Sequence, residues 1–210
     1  MAFDFKKENR EYYLPPQTPV IVDVPPMNYV AVRGKGNPND ENSEYKASIE
    51  LLYGIAFTIK MSKMSKMGDH WIYGYFDFVV PPLEGLWWSE TGEVDYGRKQ
   101  DFHFISMLRL PDFVTKEDFD WAVETATKKK KKEFSKAEFF HYEEGRCVQC
   151  MHLGSYDMEP VTIGRMKAFA AQEGLYIDID DQRMHHEIYL SDPRKTTADK
   201  LRTVIRYPVK

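Results

Sequence analysis

Hydrophobic and polar positions alternate most cleanly near the C-terminus. His185-His186-Glu187-Ile188-Tyr189-Leu190 has a period of two and stops before Pro193, while 201–209 is β-branched and aromatic; both read as strands. Alternation puts His185, Glu187 and Tyr189 on one face and His186, Ile188 and Leu190 on the other. With Ile188 and Leu190 on the core, the opposite face presents a carboxylate between an imidazole and a phenol. Upstream, 20–24 and 29–34 are extended segments separated by Pro25-Pro26, and 34–40 is a loop. A helix is expected from about 43 to 59, with Ile49, Leu52, Ala56 and Ile59 on one side. An aromatic strand over 71–80 ends at Pro81-Pro82, ahead of Leu83-Glu84-Gly85-Leu86-Trp87-Trp88. A further strand spans 102–110 and closes at Pro111. The next helix opens at Thr115, with Glu117 and Asp118 at its positive end.

The second half runs through the same order. Residues 147–154 read as a strand ending in glycine, a helix from about 160 to 172 stops at Gly174, and the two C-terminal strands follow. Strand–helix–strand–strand thus occurs twice, about 19–113 and 138–210, behind a polar leader over 1–18. On this reading Glu84, ahead of Trp87-Trp88, falls where Glu187 falls ahead of Tyr189. The fold class expected is α/β (α+β): duplicated pseudo-symmetric units, antiparallel sheets with helices behind, and a central ligand cleft.

Charge narrows the partners. A net charge of −4 and a pI near 5.9 lack the basic face of a nucleic-acid binder. No run approaches the length of a membrane span, the first residues carry no apolar signal segment, and two cysteines make no disulfide framework. The expectation is a cytoplasmic monomer. Cys147 and Cys150 form a C-x-x-C on a strand, where residues three apart face opposite ways, so neither zinc nor redox chemistry is expected there. Lys128 to Lys132 suit a helix C-terminus, and the Lys60/Lys63/Lys66 and Met61/Met64/Met67 repeat suits a helix end or loop.

Thirteen Phe, thirteen Tyr and four Trp leave aromatic walls as the candidate binding chemistry. Flat walls favour planar ligands through offset stacking. Consecutive tryptophans in a strand face opposite sides, and with Glu84 in the cleft parity puts Trp88 there too. Trp87, Trp88, Glu84, His185 and Phe104 are the expected ligand-binding residues. The residues alone leave Glu187 two readings, a surface glutamate on a half-exposed sheet or a catalytic general base activated by desolvation, with Tyr189 beside it placed to hydrogen-bond a ligand carbonyl.

The second half resembles the GyrI-like small-molecule-binding domain family, through Val148 to Gly154 with Ser155-Tyr156, through Glu187 to Pro193, and through Tyr207-Pro208-Val209; Leu83 to Trp88 resembles one branch of it. The resemblance spans roughly 18–210. It implies a pseudo-symmetric domain whose cleft binds amphipathic, often aromatic compounds, with the glutamate at position 187 contacting the ligand. It also implies kinship with drug-sensing activators, a gyrase-modulating protein, and hydrolases that open the cyclopropane of DNA-alkylating natural products. About 18 preceding residues are too few for a helix-turn-helix. The reading that follows is a cofactor-independent, metal-free hydrolase of a strained electrophile, giving self-protection. The alternatives are a non-catalytic multidrug-binding or sequestering protein and a gyrase-modulating interaction protein.

Overall fold

The computed structural model describes residues 2–64, 70–90 and 94–210. In chain order the elements are α1 (Phe5–Glu8), α2 (Arg10–Tyr13), β1 (Val20–Val24), β2 (Met27–Lys35), α3 (Glu44–Lys60), β3 (Leu83–Ser89), β4 (Phe102–Arg109), α4 (Lys116–Lys130), β5 (Ala137–Tyr142), β6 (Gly145–Leu153), α5 (Glu159–Gln172), β7 (His185–Tyr189) and β8 (Arg202–Pro208). The strands form one open antiparallel sheet in the order β1-β6-β8-β7-β3-β4-β2-β5. That order is symmetric about the central β7–β3 pair. Each half lends its first strand to the far side: β1 pairs with β6, and β5 pairs with β2.

Local chemistry explains the two long helices over one face. Ser43 caps α3 by accepting from the Lys46 amide. The helix then buries Leu52, Ile55 and Ile59 completely, each worth about 1.5–3 kcal/mol relative to exposure. These residues pack on Val30, Val32 and Leu108 of β2 and β4. Pro160 in the first turn suits the start of α5, which lays Ile163, Met166 and Ala170 over Val148, Cys150, Ile205 and Tyr207 of β6 and β8. Each helix therefore covers the outer strands of its own half, and the centre of that face, over β3 and β7, stays uncovered.

Thr115 opens α4 with a full capping box: its side chain accepts from the Asp118 amide and Asp118 accepts from the Thr115 backbone. Lys128, Lys129 and Lys130 end this helix, at the negative pole of its dipole. Lys66 and Met67 of the lysine–methionine repeat lie outside the described residues.

Three expectations change. The leader is not polar throughout: α1 and α2 bury Phe5 and Tyr13. The aromatic strand over 71–80 does not form. Gly74 takes φ +73° and breaks the extended path, Trp71 and Tyr73 are exposed, and Tyr75, Phe76 and Phe78 pack around Phe113 instead. Only Phe78 bridges to another segment, at Phe3. Finally, β5 over Ala137–Tyr142 is a strand where none is expected, supplying the outer edge beside β2. Among the described residues no helix is long and apolar enough to cross a membrane.

Candidate functional site

Across the central pair, Gly85 of β3 lies opposite Glu187 of β7, Trp87 opposite His185, and Leu83 opposite Tyr189. Directly opposed residues of an antiparallel pair point to the same face, so Glu187 stands on the face that α3 and α5 leave open at its centre. A cleft of about 840 Å³ opens there. The two helices are its walls: Tyr45, Ile49 and Tyr53 come from α3, Glu159 from the first residue of α5, and Tyr156 from the turn just before it. Trp87, Tyr96, Phe102, Glu187 and Tyr189 also line it.

Glycine makes the floor possible. A Cβ on Gly85 would lie 2.6 Å from Trp87 Nε1 and 3.2 Å from Tyr189 Oη, so only glycine lets both rings fold over the sheet beside Glu187. Gly34 does the same for Phe104, whose Cζ would be 2.4 Å from an added Cβ. The Phe104 ring then sits 5.6 Å from Trp87 and 5.2 Å from Tyr45, backing both. At the mouth, Lys99 donates to Asp157 at 2.6 Å, tying the segment before β4 to the turn before α5.

The polar chain on the floor is continuous. Trp87 Nε1 donates to Tyr189 Oη at 2.8 Å, and Tyr189 donates to Glu187 Oε2 at 2.7 Å. His185 Nε2 lies 2.9 Å from Glu187 Oε1, at ion-pair distance but off the axis of a hydrogen bond. The other ring nitrogen of His185 meets the Tyr207 hydroxyl at 2.7 Å. Glu159, wholly buried, accepts from the Tyr96 hydroxyl at 3.0 Å and faces Glu187.

Two facing carboxyls cannot both ionise cheaply. Burial, then the charge of Glu187, push Glu159 well above the usual carboxylate range. Burial also pushes Glu187 up, but the adjacent His185 imidazole, the hydrogen bond from Tyr189 and the facing Glu159 carboxyl outweigh it and hold Glu187 below its ordinary value. The floor thus pairs two carboxyls whose proton affinities are pushed in opposite directions, an arrangement suited to taking and giving a proton. The side-chain donor atoms of Glu159, His185 and Glu187 lie within 4.8 Å of one another.

Of the residues named from sequence, Glu187, Tyr189 and Trp87 line this cleft together. His185 and Phe104 stand directly behind it, both almost fully buried. The hydroxyl hydrogen of Tyr189 is committed to Glu187, so in this arrangement it is not aimed at a ligand.

Glu84 and Trp88 are on the opposite face, which corrects their placement in the cleft. Glu84 pairs with Ile188, not Glu187, and a one-residue offset turns a side chain to the other side of the sheet. There His186 bridges Glu84 Oε2 at 2.9 Å and Glu144 Oε1 at 3.0 Å. Arg206 donates to Glu144 at 2.6 Å and to the Tyr12 carbonyl at 2.7 Å, and Tyr13 donates to Glu84 at 3.2 Å. This buried ionic network holds the N-terminal helices to the rear of the sheet. Trp88 stacks on His103 at 5.6 Å, also on that rear side. Cys147 and Cys150 are buried and face opposite ways from β6.

Sequence reasoning missed Glu159, Tyr45, Tyr96, Tyr156 and Phe102. Glu159, just before Pro160, carries the same signature as a solvent-facing acid in a helix's first turn. Only its packing against Glu187 distinguishes it.

A hydrolase from Listeria innocua is 45% identical over the full length of both chains, with a TM-score of 0.89. A second structure of a hydrolase from the same organism, encoded by lin2189, is 46% identical, again covering both chains fully, with a TM-score of 0.90. The EcmrR C-terminal domain matches 92% of this chain and 97% of its own at 15% identity and a TM-score of 0.55, a likeness of fold alone. No curated protein matches the chain. The model of the GyrI-like small molecule binding domain matches residues 17–210, and the chain belongs to that family.

Proposed function

We propose that this protein hydrolyses a strained, electrophilic aromatic compound, a cyclopropane-bearing alkylator being the substrate class, and so detoxifies it. The observation that carries the reading is the buried Glu187 facing the buried Glu159 at the bottom of an aromatic cleft, the first carboxyl held below and the second pushed above its ordinary proton affinity. The likeness to Listeria innocua hydrolases at 45% and 46% identity supports it.

A planar ligand stacks among Tyr45, Trp87, Tyr156 and Phe102. Glu187 takes a proton from water as the water oxygen bonds to the ring carbon. The pair of electrons from the breaking ring bond passes into the conjugated carbonyl, whose oxygen gains a proton; Glu159 carries one to give. Relief of ring strain drives the step, and a low-dielectric floor strengthens each electrostatic contact. The test is mass spectrometry of such an alkylator incubated with substoichiometric protein. Product heavier by one water, exceeding the protein in moles, supports hydrolysis.

The ionised Glu187 favours one second reading: a binder that sequesters hydrophobic cations against that carboxylate. It predicts a stoichiometric complex and chemically unchanged ligand.

A further inference from the structure

We infer that Glu159, His185 and Glu187 form a binding site for one divalent cation of the zinc class, at the floor of the cleft. Each of the three side chains already has a phenol behind it. Tyr96 serves Glu159 Oε2, Tyr189 serves Glu187 Oε2, and Tyr207 serves His185 Nδ1. Those contacts use the outward atoms. The atoms left over are Glu159 Oε1, Glu187 Oε1 and His185 Nε2, and the three side chains bring donor atoms within 4.8 Å of one another.

Two of these leftover atoms are buried polar groups with no hydrogen-bond partner, Glu159 Oε1 and His185 Nε2. Their residues are 0% and 1% exposed. A buried donor or acceptor left unmade costs free energy, and native structures leave few of them. A proton shared between the carboxyls satisfies two of the three converging atoms. A divalent cation satisfies all three.

The donor set selects the metal. One imidazole nitrogen and two carboxylate oxygens suit zinc and its first-row neighbours, whereas magnesium and calcium take all-oxygen shells with more ligands. Three protein ligands and a fourth position open to the cleft is the pattern of an accessible zinc site. The three phenols act as the outer-shell partners that orient such ligands, and a fixed hydrogen bond at Nδ1 turns Nε2 toward the metal. The site goes beyond the hydrolase reading: the cation occupies the lone pairs that Glu187 uses as a base, so it competes with that chemistry rather than serving it.

The experiment is calorimetric titration of the full chain with zinc chloride, beside Glu159→Gln, His185→Gln and Tyr96→Phe, each checked for folding by thermal melting. The expected result is one zinc ion per chain. Glu159→Gln and His185→Gln should each weaken it at least tenfold, and Tyr96→Phe should weaken it less. Cobalt(II) added to the unaltered protein should give the intense visible band of a low-coordinate N/O site, independent of any variant's folding. No stoichiometric binding, no such cobalt band, or zinc affinity unchanged in both Glu159→Gln and His185→Gln overturns the site. Because the readout is binding alone, its failure leaves hydrolysis untouched. Conversely, absence of turnover leaves the cation site standing.

Discussion

The indole N–H of Trp87 donates to the phenol oxygen of Tyr189 at 2.8 Å, across the β3–β7 seam. Tyr189 in turn donates to Glu187, so the aromatic wall and the carboxylate are one hydrogen-bonded unit. Trp87→Phe keeps a ring but removes the donor. Binding of planar ligands, followed by quenching of tryptophan fluorescence, should weaken severalfold. Trp88→Phe, on the rear face beside His103, should leave binding unchanged. Equal losses from both changes would contradict the assignment of Trp87 to the cleft.

Glu187→Gln separates catalysis from attraction. As a general base Glu187 contributes ~10²–10⁴-fold, so turnover should fall by about that much while a neutral ligand still binds. If the carboxylate serves only to hold cations, the same change weakens cation binding by roughly 2–5 kcal/mol, as loss of a buried charge partner does. Steady-state rates and equilibrium titrations on the same variant distinguish the two.

Gly85→Ala places a Cβ 2.6 Å from Trp87 Nε1. The indole must shift, and overpacking of this kind costs typically ~1–3 kcal/mol. A lowered denaturation midpoint is expected, together with loss of planar-ligand affinity. Wild-type affinity in a folded Gly85→Ala protein would argue against a floor built on that glycine.

The rear network sets an acid limit. Burial raises Glu144, but Arg206 and His186 outweigh it and hold the carboxyl at about 2 in the fold, against 4.5 for the free group. Tyr142 and Cys147 also face it, and Glu84 lies beyond His186. A depressed folded value means the stabilisation is fully present above pH 4.5 and is lost as pH falls toward 2. Its size is on the order of 3 kcal/mol. Urea midpoints should fall across that window. Glu144→Gln should be strongly destabilised at pH 7, by ~3–5 kcal/mol for a broken buried pair, and should lose much of this acid dependence.

Much of this was readable from parity and caps. Alternation in 185–190 put His185, Glu187 and Tyr189 on one face, and Thr115 with Asp118 marked the start of α4, because both signals are local. Glu84 was misplaced because a repeated element order between halves does not fix register. The ladder aligns Glu84 with Ile188, and one residue decides the face. The 71–80 stretch has strand composition, but its backbone turns at Gly74 and its rings find Phe113. Glu159 went unnoticed because what makes it chemical is a carboxylate 28 positions away, which no local pattern reports.

The crossed first strands bind the two halves into a single fate. β1 is separated from β2 by only Pro25-Pro26 yet completes the sheet of β6, and β5 precedes β6 yet completes that of β2. Neither half closes its own edge, and these long-range pairings must form together during folding, which slows it. A chain opened between α4 and β5 would therefore yield two incomplete pieces, each carrying the strand the other lacks. Such fragments are natural complements, suited to reassembly on mixing, and the same exchange between two intact copies is the route by which this fold would swap into a dimer.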